Sequence, residues 1–481
     1  MQGQYGQWRW EALMIRLDSV YFDGQWQQVS SDASRVDVVC PANGRVVATQ
    51  ARCAPEQVDA AVASAQEAFS GWAHLEPRRR SAYLRSLLSL VEEHATELAE
   101  LVSLEMGSPF EFALAEQIGT PIAMIENTIE VLERFEFEEE LDNSLIVKEA
   151  AGVVAAITPW NYPIYQLVAK VVPALAAGCT VVVKPPELAP ISSVRFTELV
   201  DEAGFPAGVF NLVLGKGTAV GMQLAGHPGV DVVSFTGSTE AGRQVAERAV
   251  QGIKRVSLEL GGKSASLVAP GADLETAVRS TVAYCMANCG QSCSAWTRLL
   301  IPVDVLAEAE RCAAEAAVEV EPSLGPVVSE RQYEEIQGFI ERAIADGARA
   351  VAGGTGRPEG ISEGPYPRAT VLSGVTSDLE IAQKEVFGPV LSIIAYATLE
   401  EAVDIANDSD YGLHGAVWAA TDEEALSIAR RIRTGQLDVN GGDFNVGAPF
   451  GGFKQSGVGR ELGKYGLEEF IELKSVQLPK R

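Results

Sequence analysis

Between residues 55 and 72, apolar side chains recur at intervals of three and four. Val58, Ala61, Val62, Ala65, Phe69 and Trp72 share one stripe, which predicts an amphipathic helix from Pro55 to Trp72. A second helical pattern covers Arg78 to Met106, with Gly107 and then Pro109 as its stop. Near residue 144 the texture changes. Ser144 to Lys148 and Gly152 to Ile157 read as strands, and so do the short β-branched runs Thr180 to Val183, Phe210 to Val213 and Val230 to Phe235. A helical pattern begins near Ile191, and another follows Phe235. Buried strands alternating with helices predict an α/β fold with a parallel, doubly wound sheet. A second α/β series runs from Ser266 to about Gly441, with strands near Leu299, Ala350, Val390 and Ala416. Phe470 to Leu478 reads as a lone strand, which needs a partner in Ser144 to Lys148 or in another subunit.

The 481 residues suffice for two or three domains, and 47% apolar with 21% charged residues is ordinary for a globular protein. No stretch approaches the roughly 20 apolar residues that span a bilayer, so no membrane association is expected. Residues 1–13 lack a signal-peptide pattern and read as a loose, flexible extension, with the fold beginning near Met14. A cytoplasmic location follows by default. The net charge of −27 repels phosphate backbones and argues against nucleic-acid binding. It says nothing about a small-molecule pocket. Seven scattered cysteines suit reduced thiols. Cys285, Cys289 and Cys293 stand four apart and would share a face if one helix carried them. No histidine lies near and the spacing fits no zinc pattern, so no metal is expected.

The chemistry concentrates in a few segments. Cys293 lies in Asn288-Cys-Gly-Gln-Ser-Cys-Ser-Ala-Trp-Thr-Arg298, where glycine and small polar residues suggest a sharp bend exposing sulfur. A thiolate is a strong nucleophile, although a single cysteine is more often structural. Glu259, in Val256-Ser-Leu-Glu-Leu-Gly-Gly-Lys-Ser264, ends a strand beside two glycines and can serve as a base in a cleft or be a solvated charge. Phe235-Thr-Gly-Ser-Thr-Glu-Ala-Gly242 joins a strand to a helix, whose free N–H groups suit a phosphate; an ordinary turn reads the same way. Lys184 and Glu187 follow another strand, either to meet ribose hydroxyls or as a solvated loop.

In combination these segments resemble the aldehyde dehydrogenase superfamily, in its hydrolytic, non-acylating branch. The resemblance rests on Pro159-Trp-Asn-Tyr-Pro163, Lys184-Pro-Pro-Glu187, Phe235-Thr-Gly-Ser238, Glu259-Leu-Gly-Gly262, Gly290-Gln-Ser-Cys293, Glu385-Val-Phe-Gly-Pro389 and Pro449-Phe-Gly-Gly452. They stand in the family's order from about residue 20 to the C-terminus. The resemblance implies a Rossmann-like cofactor domain from residues 14–130 and 151–262 and a catalytic domain from 263–441. It also implies a small β oligomerisation element from 131–150 and 466–481, and a segment 442–465 that returns to line the site. A homodimer or homotetramer is implied.

By resemblance, Cys293 is the nucleophile, Asn161 an oxyanion donor, Glu259 the base, and Lys170 with Glu461 a proton relay. NAD would meet Ile157, Trp160, Lys184, Glu187, Gly217, Ser238, Glu385 and Phe387. A carboxylate at Glu187 repels a 2′-phosphate, which favours NAD over NADP. The pocket positions are Tyr162, Gln166, Ala169, Ser292, Ser294, Trp296, Phe444 and Phe450. Their aromatic walls favour an apolar or aromatic aldehyde, oxidised to the acid through a thioester. Trp296 reads equally as core. Two alternatives stay open within enzymes, a semialdehyde-specific dehydrogenase and one that acylates coenzyme A. The presence of Glu259 favours hydrolysis over the latter. A non-catalytic binding protein on the same fold is the rival from another class.

Overall fold

The structure is a computed structural model and describes residues 14–479. The expected extension at 1–13 lies outside the described residues. One eight-stranded sheet has five parallel strands at its centre, in the order Arg255–Glu259, Val232–Thr236, Val153–Ile157, Thr180–Lys184 and Phe210–Leu212. The two innermost strands, Val153–Ile157 and Thr180–Lys184, are buried from end to end, as expected where both faces are covered. Later strands lie to one side of Val153–Ile157 and intermediate ones to the other. The winding therefore reverses there, which opens a crevice beyond the carboxyl ends Ile157, Lys184, Thr236 and Glu259. Antiparallel strands close both edges, Gly457–Val458 on one and the hairpin Ser19–Phe22, Gln25–Gln28 on the other.

A second, seven-stranded sheet runs Arg349–Ala352, Thr370–Ser373, Val390–Tyr396, Arg298–Pro302, Ala265–Val268, Gly415–Trp418, Asp438–Val439. The strand expected near Ala350 is an antiparallel edge with a register shift, whereas the others run parallel. The tail strand Ile471–Gln477 pairs along seven residues with Ser144–Ala150 of the same chain. A third strand, Glu138–Leu141, completes that small sheet.

One expectation needs correction. The helix predicted over Arg78 to Met106 is two helices, Pro77–Glu93 and Ala95–Met106. His94 between them leaves helical geometry (φ −100°, ψ 14°), and its Nδ1 lies 2.8 Å from Glu97. A continuous apolar period hides such a break, because the stripe stays in phase across it. The stop at Gly107 stands, in left-handed geometry at φ 82°. The strands before residue 52, three of which form a separate sheet, carry too few apolar residues to announce themselves.

Arg80 is buried where the ends of three helices meet. Its guanidinium donates to the carbonyls of Ala176 (3.0 Å), Ala73 (3.3 Å) and Leu75 (2.5 Å). Arg80→Met would leave these acceptors without their charged donor, at a cost of about 3 kcal/mol. A thermal unfolding midpoint several degrees lower is expected; an unchanged midpoint would contradict the bonding described.

Candidate active site

The segment that carries Cys293 begins where the helix Leu274–Met286 stops. Asn288 (φ 52°), Cys289 (φ 56°) and Gly290 (φ 71°) then take left-handed geometry in succession, a conformation unfavourable for the two non-glycine residues. A side chain at 290 would place Cβ 2.1 Å from the backbone of Gly388. Hydrogen bonds hold the bend. Asn288 Nδ2 donates to the Asn161 carbonyl (3.0 Å), Asn161 Nδ2 to the Gln291 carbonyl (3.0 Å), and Gln291 Nε2 to the Asn288 carbonyl (3.0 Å). Gln291 Oε1 also accepts from Val328 N at 2.8 Å. The sharp bend is as the glycine suggested. The shared helix face is not, because only Cys285 remains on the helix while Cys289 enters the core. All seven thiols are free.

Two cavities meet at this bend. One, of about 410 Å³, lies at the crevice of the first sheet and is walled by Trp160, Asn161, Ser238, Gly261, Glu385 and Phe387. The other, of about 550 Å³, is walled by Tyr162, Gln166, Ser292, Trp296, Phe444 and Phe450, with Ser294 beside them. Cys293 is the residue common to both. Ala169, expected in the pocket, is instead packed in the core and lines neither cavity. Trp296 does both: it is buried, and its ring stacks on Tyr284 at 4.1 Å within the wall.

The electrostatics are unusual. Burial and the carboxylates of Glu385, Glu259 and Glu461 push the Cys293 thiol well above its ordinary range. Burial, reinforced by Glu461, also raises Glu259 well above the carboxylate range, against the opposing pull of Lys170 and Arg460. Neither Glu259 oxygen has a hydrogen-bond partner. A Cβ on Gly451 would lie 2.7 Å from one of them, so glycine there leaves the carboxyl its room. Lys170 and Glu461 are buried and paired at 2.5 Å. Burial raises Glu385 to about 7, although Gly262 N donates to it at 3.1 Å.

Further along the crevice, Ile157 and Lys184 are register partners at adjacent strand ends. A Cβ on Gly217 would lie 4.0 Å from Lys184 Nζ. Burial lowers Lys184 to about 8. Glu187 pairs with Arg52 at 2.9 Å, a residue that sequence reasoning overlooked because it comes from a distant segment. Also overlooked were Gln332, which donates to the carbonyls of Val386 and Phe387 (3.3 and 3.1 Å), and the pocket residues Tyr165, Tyr284, Trp418 and Asp438. Tyr165, three residues after Tyr162 on a helix, was findable from its spacing. The others follow only from tertiary packing.

A family model described as the aldehyde dehydrogenase family matches residues 26–476. The 3-succinoylsemialdehyde-pyridine dehydrogenase of a Pseudomonas species is 44% identical over 465 residues, spanning 95% of this chain and 97% of that one. Aldehyde dehydrogenase C of Pseudomonas syringae, solved with NAD+ and octanal, superposes with a TM-score of 0.94 at 44% identity over 96% of each chain. Betaine aldehyde dehydrogenase of Staphylococcus aureus, solved with NAD+, gives 0.92 at 34% identity over 96% of this chain and 95% of that one.

A thiol held neutral by burial and carboxylates gains thiolate only as pH rises. Alkylation of Cys293 in the ligand-free protein should therefore climb from pH 7 to beyond about pH 9 without levelling. Peptide mass spectrometry after brief iodoacetamide pulses measures it, and a plateau near pH 7 would show a stabilised thiolate.

Proposed function

The chain belongs to the aldehyde dehydrogenase family, and from that premise we propose that it oxidises an apolar or aromatic aldehyde to the carboxylate with NAD+. The observation that carries this reading is the position of Cys293, between a crevice at the sheet's switch point and an aromatic cavity.

The residues at the crevice suit a dinucleotide. The helix Thr239–Val250 starts there with Ser238 as its cap, offering N–H groups and a positive helix end to a pyrophosphate. Lys184 and Glu187 would take ribose hydroxyls near Ile157 and Gly217, Glu385 the second ribose, and Trp160 and Phe387 would pack about the rings. When bound there, NAD+ supplies the hydride acceptor. Glu187 disfavours NADP, but its partner Arg52 offsets part of that charge.

In this reading Cys293 gives its proton to Glu259 and attacks the aldehyde carbon from the aromatic cavity. Charge then develops on the aldehyde oxygen. The Asn161 amide, with one N–H on Gln291 and one remaining, and the Cys293 N–H stabilise it by roughly 3 kcal/mol per donor. Loss of hydride leaves a thioester on Cys293. Glu259 passes the proton from Cys293 on through Lys170 and Glu461 and then takes one from water, which attacks the thioester and expels the Cys293 thiolate. Aldehyde, NAD+ and water thus become carboxylate, NADH and two protons. The octanal in the P. syringae structure and the pyridine-bearing semialdehyde for which the Pseudomonas relative is named both fit an apolar, aromatic cavity. The outer edge of Ile471–Gln477 exposes Leu473 and Val476, which supports a homodimer or homotetramer joined through this small sheet.

Absorbance of reduced nicotinamide with a panel of aldehydes tests the reading: wild type should turn over and Cys293→Ala should not. Equal rates would remove the covalent mechanism. Glu259→Gln should form NADH more slowly and only once per site, then retain the acyl group on Cys293, seen as a mass increase. Because the carboxyl of Glu259 is raised, its base form grows with pH, so wild-type steady-state turnover should rise into the alkaline range. Arg52→Leu should raise the preference for NAD+ over NADP+ by about tenfold, since the bare Glu187 carboxylate then faces a 2′-phosphate. An unchanged ratio of kcat/KM values would place cofactor choice elsewhere.

A further inference from the structure

Glu105 lines neither cavity, yet we infer that it is a positioning residue for the cofactor. It fixes the loop that presents Lys184 and Glu187, and with that loop the affinity for the adenosine end of NAD+. The inference rests on the reading of the crevice given above and adds a group that touches neither cofactor nor substrate.

Two anchors decide where that loop lies. The strand Thr180–Lys184 leads into it and the helix Ile191–Glu202 leaves it. Between them Pro185, Pro186 and Pro190 each have a fixed φ, so the loop has little freedom of its own and follows its ends. The sheet holds the strand end. The helix end is not self-sufficient. The first N–H groups of a helix lack partners within it, and Pro190 at the cap position supplies no side-chain acceptor.

Glu105, near the end of the helix Ala95–Met106, supplies the missing acceptors. Its Oε1 accepts from Ser192 N at 3.1 Å and from the Ser192 hydroxyl, and its Oε2 accepts from Ile191 N. Glu105 and Ser192 are fully buried. Burial raises the Glu105 carboxyl to about 7, the bonds from Ser192 and Ile191 oppose it, and neither lysine nor arginine enters the balance. The positive end of the helix is thus the counter-charge of the carboxylate, and the carboxylate is the cap of the helix. Just ahead of Ile191, Glu187 pairs with Arg52 at 2.9 Å and Leu188 lines the crevice cavity. A helix start that frays moves both.

The test is calorimetric titration with NAD+, AMP and nicotinamide mononucleotide, beside steady-state kinetics. Glu105→Gln keeps the size of the side chain but loses its charge and turns an amide toward one of the N–H groups. It should raise the Kd of NAD+ and of AMP together by about fivefold or more and leave that of nicotinamide mononucleotide unchanged. KM for NAD+ should rise alike, while kcat does not fall. A merely structural loss would resemble Arg80→Met, with a lower unfolding midpoint and every Kd in place. Ser192→Ala gives up only the hydroxyl bond; it should weaken AMP by about twofold, and it decides the matter if Glu105→Gln does not fold. Unchanged AMP affinity in these variants, or a loss confined to the nicotinamide end, overturns the inference. If wild type binds neither NAD+ nor AMP, the failure is instead that of the underlying reading.

Discussion

One constraint organises the site: a half-buried thiol and a buried carboxyl share a region already crowded with negative charge. Cys293 faces Glu385, Glu259 and Glu461, and only Lys170 and Arg460 oppose them near Glu259. Both groups therefore resist ionisation. In the proposed mechanism reactivity depends on moving one proton between two groups that both resist ionisation. Burial makes each less ready alone, and the attack succeeds only when the carbonyl is close enough to take up the developing charge.

The fold supplies the rest by placing loops. The reversal of winding at Val153–Ile157 opens the crevice, and the segments leaving Ile157, Thr236 and Glu259 bring Asn161, Ser238 and Gly262 to it. The other half comes from the second sheet, whose strand Arg298–Pro302 follows directly on the bend that carries Cys293. Gly262 joins the halves, since a Cβ there would lie 2.5 Å from the Cys293 carbonyl oxygen. The left-handed run Asn288 to Gly290 is the local strain this junction requires, held by the interlocking amides of Asn161, Asn288 and Gln291.

Much of this was legible in the sequence, and the reasons differ by element. The innermost strands declared themselves because burial on both faces favours apolar, β-branched-rich runs, as in Val153–Ile157 and Thr180–Lys184. The segments around Cys293 and Glu259 were legible through glycine, which marks tight backbone, whereas Asn161 came only through the resemblance to the family. The break at His94 was not legible, since a periodic stripe carries no record of a one-residue interruption. Nor was the upward push on the Cys293 thiol, because it depends on which carboxylates tertiary packing brings beside it. Arg52, His414 and Asp438 were invisible for the same reason: each matters through a partner more than 20 positions away. Ala169 was assigned to the pocket by position, and packing of its helix turns it into the core.

The account's central claim is geometric: a carbonyl held on Cys293 exposes its C–H bond across the junction to the nicotinamide. Oxidation of an aldehyde deuterated at C1 measures this directly, with mass analysis of the reduced nicotinamide and of solvent water. The account predicts one deuterium in the nicotinamide for each acid formed and none in water. Deuterium appearing in water, or a nicotinamide reduced without label, would contradict it.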